Sequence, residues 1–145
     1  MTISQALKTN NTNEWPTPQW LFDLLDLEFG FTLDPCCTDE SAKCGRYFTA
    51  RDNGLIQDWA NDSVFMNPPY GGHIKDWMAK AFSEADSNGA LVVCLVPARV
   101  DTAWWHSYAV RGEIRFPIGR LKFEGADSCA PFPVAIIIFR AKKLL

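Results

Sequence analysis

Asn67-Pro68-Pro69-Tyr70 is the segment whose residue types converge on a single chemistry. The Asn67 side-chain oxygen and the backbone carbonyl of Pro68 are two acceptors on one short loop, and each can take one hydrogen of an exocyclic amino group. The nitrogen of such a group is a poor nucleophile while its lone pair is delocalised. Two acceptors drawing on its hydrogens make it pyramidal and stabilise the positive charge that grows on it as a methyl group is transferred. Pro68 and Pro69 remove backbone donors and stiffen the loop, so that the acceptors converge without reorganisation. Tyr70 offers a flat π-face to a base, a stacking contact worth ~1–3 kcal/mol. The chemistry calls for no strong general base and no metal, because the proton can leave once the nitrogen is cationic. The loop alone specifies an amino or amide acceptor and no more. Its bland reading is a plain turn, since Asn-Pro and Pro-Pro are turn dipeptides; its place between an apolar run and an amphipathic stretch favours catalysis.

Those flanking elements must do the positioning. Ser63 to Met66 reads as a short apolar strand running straight into the loop. Beyond it Ile74, Trp77, Met78, Ala81, Phe82 and Ala85 recur at helical spacing, the clearest helix of the chain, stopped at Asn88-Gly89. Ala90 to Val96 is a continuous apolar run closed by Pro97, as in a strand buried on both faces. A helix capped by Asp101 or Thr102 follows to about Ala109, then strands at Glu113 to Phe116 and Val134 to Phe139, expected as neighbours. Upstream, Thr17 as N-cap with Pro18 in the first turn opens a helix with Leu21, Leu24 and Leu25 on its apolar side, ended by Gly30. Phe31 to Asp34 and Tyr47 to Thr49 read as short strands, and Asn53-Gly54 as a turn. Strand and helix alternate from 63 to 116, so the fold class is α/β, and ligands of such sheets sit beyond the carboxyl ends of the strands. The expected site therefore comprises Asp34 to Cys37, Asn67 to Tyr70 and Pro97 to Asp101. Only Pro35 to Met66 separate Asp34 from Asn67, too little for the usual succession of βα units, so the sheet is expected to be abbreviated there.

Asp34 and Asp58 are carboxylates placed to accept from ribose or amino groups of a cofactor, against the bland alternative of turn caps. Pro35 and Cys36 follow at the same edge. Cys36, Cys37 and Cys44 match none of the common zinc spacings, and no metal is expected. Arg99, Arg120 and Lys122 are candidate DNA contacts, with Phe123 as a wall of the base pocket. One of Trp104 and Trp105 is expected in the core, and His73 and His106 in surface or capping roles.

The chain has 145 residues, 48% of them apolar, and a net charge of −3. That size suits one core: residues 1–13, rich in Thr, Asn and Ser, are expected to form a flexible arm, and 14–145 one domain. The negative charge argues mildly against a nucleic-acid partner, and a local basic group in the later half answers it: Arg99, Arg111, Arg115, Arg120, Lys122, Arg140, Lys142 and Lys143. No stretch approaches the roughly 20 apolar residues of a membrane span, and Met1 to Glu14 has no signal-peptide core. Five cysteines form an odd set, so reduced thiols and a cytoplasmic location are expected.

From Trp15 to Arg140 the chain resembles the phage-type DNA N6-adenine methyltransferases, the small Dam-like family. The matching segments are Trp15-Pro16-Thr17-Pro18, Glu28-Phe29-Gly30-Phe31 leading to Asp34, Asn53-Gly54-Leu55 with Asp58-Trp59, and Asn67-Pro68-Pro69-Tyr70. They continue with Pro97-Ala98-Arg99, Asp101-Thr102, Trp104-Trp105, Gly119-Arg120-Leu121 with Phe123, and the closing strand. The resemblance implies an abbreviated Rossmann-like methyltransferase fold, with a mostly parallel sheet and helices on both faces. It implies S-adenosyl-L-methionine as cofactor with Thr17 and Pro18 near it, and adenine in DNA as substrate, reached by base flipping and methylated in line. It also points to the masking of phage DNA in a host cytoplasm. The family's glycine-rich turn is replaced here by Asp34-Pro35-Cys36-Cys37-Thr38. There is no room for a separate recognition domain, so specificity would come from short loops or from the second subunit of a homodimer. Alternatives that use a similar acceptor loop are cytosine N4 in DNA and a protein glutamine amide; a degenerate DNA-binding module without cofactor is the non-enzymatic one.

Overall fold

The structure is a computed structural model that describes residues 14–142; the expected N-terminal arm and Lys143 lie outside the described residues. Among the described residues three α-helices, α1 (Gln19–Phe29), α2 (Ile74–Asn88) and α3 (Ala103–Ser107), accompany four strands, β1 (Ser63–Met66), β2 (Leu91–Pro97), β3 (Glu113–Arg115) and β4 (Val134–Phe139). Among the described residues no helix is long and apolar enough to cross a membrane.

The strands lie in the order β1-β2-β4-β3. β1 pairs with β2 in parallel, Ser63 opposite Leu91 through Met66 opposite Cys94. β4 then enters antiparallel between β2 and β3, with Val92 opposite Phe139 on one side and Glu113 opposite Ile138 on the other. Two isolated parallel bridges extend the sheet past β1: Leu33 to Val64, then Asp34 to Tyr47. The sheet is thus mixed, correcting the mostly parallel expectation. Hydrophobic runs report burial of a strand but not its direction, and β4 reaches its slot through the loop 116–133, which contains no crossover helix.

β2 and β4 are buried along almost their whole length, as expected of central strands covered on both faces. Against them α2 lays Ile74, Trp77, Met78, Ala81 and Ala85, the apolar stripe of its sequence. Phe82 is half-buried, its ring meeting Phe139 at 5.8 Å. The α1 contribution is Leu21, Phe22 and Leu25. Leu24, expected inside, is exposed with Trp20 and Leu27, because Phe22 rather than Leu24 completes the inward face. Thr17 is not the N-cap: Pro18 occupies that position, and the Thr17 hydroxyl is engaged elsewhere. α3 is shorter than expected, and the Thr102 hydroxyl bonds Arg99 O rather than capping it. Trp104 and Trp105 are both buried.

Between Pro35 and Asp62 the chain forms no α-helix, only the Tyr47 bridge and one 3-10 turn at Gly54–Ile56. Gly54 is required there by proximity: a Cβ at that position would lie 2.0 Å from Pro35 O and 3.2 Å from Trp77 Cη2.

Candidate active site

From Leu33–Asp34 the chain crosses first to Tyr47 on one side, and later to β1 on the other. This reversal is a topological switch point, the place where α/β sheets leave a crevice at the carboxyl ends of their strands. Asp34 and Asn67 end the two strands that flank it. A cavity of about 330 Å³ opens there, walled by Pro35, Phe65, Pro68 and Trp77 and edged by the polar groups of Asp34 and Asn67. Volumes of that order suit small-molecule sites.

Asn67 holds the most informative atom of the site. Its Nδ2 donates to Trp15 O at 2.6 Å and to Thr17 Oγ1 at 2.9 Å. A backbone carbonyl only accepts, so the amide nitrogen must face Trp15 and the oxygen must face away. That oxygen, Oδ1, is buried and has no hydrogen-bond partner among the described residues. Buried polar atoms are nearly always paired, so an orphaned acceptor marks a place where a donor is expected.

Asp34 is buried, and burial raises its carboxyl above the usual range against the opposing pull of the Lys43 and Cys36 N–H groups. Those amides donate to Oδ2 at 3.0 Å and Oδ1 at 3.5 Å, so Asp34 shapes the loop that follows it as well as lining the cavity. Burial also pushes the Cys36 and Cys37 thiols up and Cys44 to about 12. These sulfurs stay protonated, and among the described residues no group of three or more His, Cys, Asp or Glu is placed to hold a metal ion.

A second cavity lies on the other side of the loop, lined by Trp15, Tyr70, Arg99, Trp104 and Phe132 with the Gly71-Gly72 turn. Trp15 belongs to both linings. Tyr70 is only 3% exposed; its hydroxyl donates to Leu95 O at 3.0 Å, and its ring meets Phe123 and Phe132 edge to face at 6.2 and 5.8 Å. In this conformation the expected stacking face is therefore part of a packed aromatic group.

The other expected residues divide. Thr17, Pro35 and Cys36 line the first cavity, Pro69 borders it, and Pro18 is buried just behind Thr17. Asp58 lies outside both linings: it accepts from Ala60 N in its own turn and from Nδ2 of Asn88 at the end of α2. Phe123 is buried behind Trp15 and Tyr70 and lines neither cavity. Arg120 and Lys122 are exposed on the loop before β4, and with Arg99 they form no ion pair among the described residues. Arg115 and Arg140 are instead paired with Glu28 and Glu113. Phe132, which walls the second cavity with Trp15, carried no signal in the sequence, and Trp15 only as the first residue of the resembling Trp15-Pro16-Thr17-Pro18 segment: an aromatic residue in a loop reads as core or surface with equal ease.

The chain is thus α/β, with a cavity of small-molecule size at its switch point and an orphaned acceptor in the Asn-Pro-Pro-Tyr loop. The family model described as DNA N-6-adenine-methyltransferase (Dam) matches residues 4–135, and the chain belongs to that family. It is an adenine-specific DNA methyltransferase, with DNA as substrate. The Escherichia coli (strain K12) protein named "Putative methyltransferase YfdM" is similar to it, 38% identical over 65 residues, which cover 40% of this chain and 71% of that protein.

Proposed function

We propose that this chain, folded over 14–145 as one Rossmann-like domain, methylates N6 of adenine flipped out of duplex DNA, with S-adenosyl-L-methionine as methyl donor. The observation that carries the reading is the buried, unpaired Asn67 Oδ1. It is an acceptor without a donor, in the loop whose next carbonyl, Pro68, supplies the second acceptor. An exocyclic amine brings two hydrogens, one for each. Asn67 and Pro68 then hold the nitrogen pyramidal and stabilise its growing positive charge, in a site already oriented before the substrate arrives.

The cavity at the switch point fits the cofactor. Pro35, Phe65, Pro68 and Trp77 give apolar walls for its base, Thr38, Ser41 and Asn53 give polar groups for its ribose, and Glu14 and Lys43 bring opposite charges for its zwitterionic end. When bound, the cofactor supplies an electrophilic methyl on a sulfonium. The missing glycine-rich turn is offset here by Gly54, which lets the Asn53–Ile56 turn approach Pro35 without a side chain between them. The second cavity, with Tyr70, Trp15 and Phe132 as aromatic walls, takes the flipped base. Arg99, Arg120 and Lys122, none of them in an ion pair among the described residues, serve the phosphates. Since Asn67 Oδ1 is buried as well as unpaired, the wall between the cavities must yield when the base enters, and Trp15 is common to both.

Two measurements test the reading together. Calorimetric titration with S-adenosyl-L-methionine should show saturable binding. Labelled cofactor incubated separately with DNA modifiable only at adenine and with DNA modifiable only at cytosine should give labelled N6-methyladenine from the first and no label from the second on nucleoside analysis. Label in cytosine, or in protein alone, would transfer the activity to one of the rival substrates, and absence of both binding and label would leave a non-catalytic scaffold.

A further inference from the structure

We infer that Thr17 is a positioning residue whose hydroxyl holds the Asn67 amide in the orientation that the accept-only Trp15 carbonyl selects; the inference rests on the function proposed above. An asparagine amide has two nearly isosteric orientations, and only one presents oxygen to an incoming amine. The accept-only carbonyl of Trp15 selects that one, and the Thr17 hydroxyl, from the same remote segment, holds the amide there by accepting its second hydrogen. Trp15 O takes one hydrogen of Nδ2 at 2.6 Å and Thr17 Oγ1 takes the other at 2.9 Å. With both amide hydrogens satisfied, neither competes for the substrate, and Oδ1 is left as the only unsatisfied side-chain atom of its kind among the described residues.

The segment that delivers these acceptors is itself fixed at several points. Thr17 is 4% exposed. Glu124 N donates to Pro16 O at 2.9 Å, and the Trp15 ring packs on Phe132 at 5.1 Å and Phe123 at 5.3 Å. The first turn of α1 follows immediately, with Leu21 N bonded to Pro18 O. Thr17 is not needed as a helix cap, since it forms no capping bond. A buried hydroxyl freed from that duty and bonded to the loop amide is a device for orientation. Trp15 O, as a backbone atom, cannot be removed by substitution; Thr17 Oγ1 can.

The test compares Thr17→Val, which keeps the shape and loses the acceptor, with Thr17→Ser, which keeps the acceptor. Thr17→Val should lower kcat about tenfold or more with KM for DNA and calorimetric cofactor affinity little changed, and Thr17→Ser should recover most of the rate. In the Asn67→Ala background the Thr17→Val change should add nothing, because the two residues act as one unit. The Asn67 side-chain amide resonances give a readout independent of activity: Thr17→Val should shift one Nδ2 proton and speed its exchange, and Thr17→Ser should not. A Thr17→Val rate within twofold of the parent, an equal fall in both variants, or a loss confined to cofactor affinity would each overturn the inference while leaving the proposed function standing. If the unsubstituted chain neither binds cofactor nor methylates DNA, the proposed function fails, and the amide resonances alone then decide the orientation claim: unmoved in Thr17→Val, they refute it.

Discussion

At the end of β1 the buried oxygen of Asn67 has no hydrogen-bond partner, whereas at the opposite edge of the sheet Arg115 on β3 is held by both oxygens of Glu28 at 2.7 Å and by Glu113 at 2.6 Å. Arg140 adds a further bond to Glu113 at 2.9 Å. The far edge is oversupplied with partners, although water would serve its exposed charges almost as well and surface pairs of this kind add little stability. The near edge lacks one where water cannot substitute, at a cost of about 1–3 kcal/mol for a buried unmade bond. Polar groups left unsatisfied inside a fold are tolerated where an incoming group completes them. The contrast supports the proposed site more sharply than cavity shape does, because both cavities adjoin the loop, whereas the one orphaned buried side-chain atom among the described residues lies in it.

Removing that atom should have the largest effect. Asn67→Ala is expected to lower turnover about 10²–10³-fold, the usual consequence of losing an oriented group that stabilises developing charge, with cofactor binding retained. Asn67→Asp sharpens the point. A carboxylate is the stronger acceptor, but its second oxygen would face the Trp15 carbonyl, which donates nothing. The variant should be nearly as slow as Asn67→Ala at neutral pH and partly recover in acid, where a protonated carboxyl can donate to Trp15 O. Rates of both variants at two pH values check this, and a fully active Asn67→Asp at neutral pH would break the polarity argument.

Gly54→Ala probes the same region through its packing. The added methyl would meet the Pro35 backbone at 2.0 Å, an atom with no freedom to swing aside. The cavity wall must shift, and the expected loss is about 1–3 kcal/mol of stability with weaker cofactor binding. Denaturant melts and calorimetry measure the two. Unchanged stability would mean that the Pro35 loop is softer than its contacts with Asp34 and Gly54 imply.

Legibility in the sequence follows the range over which each feature is encoded. β1, α2, β2 and β4 are continuous or periodic apolar runs, each nearly where its pattern puts it. The direction of β4 is not in its run, and Leu33 and Tyr47 form single bridges because the chain between them has loop composition. In the site, Asn67 and Pro68 announce themselves by type and spacing. The partner that orients Asn67 does not: Thr17 lies 50 residues away and carries a Thr-Pro pair that imitates a helix cap. Asp58 shows the converse, since a carboxylate ready for a ribose and one closing its own turn look alike until the turn is seen.

The smallest effect belongs to the far edge, and its value lies in what should remain unchanged. Arg115→Met removes the charge but keeps an apolar chain able to cover Phe29, over whose ring the guanidinium now lies at 5.5 Å. Arg115 holds the Glu28 carboxyl below its ordinary value of 4.5, and Arg140 with Arg115 does the same for Glu113. Folding therefore favours the charged carboxylates, so the pairs contribute above the ordinary value, and the contribution is lost as pH falls through the lowered folded values. The variant should melt slightly below the parent at pH 7, and the gap should close in acid below 4.5 as both chains lose the pairing. Thermal melts at the two pH values measure it. A gap that persists in acid assigns the loss to packing over Phe29 rather than to charge. Turnover should not move at either edge of that comparison, because neither Glu28 nor Arg115 reaches a cavity lining; a fall in kcat would show that the two regions are coupled through β4, the strand that pairs with both β2 and β3.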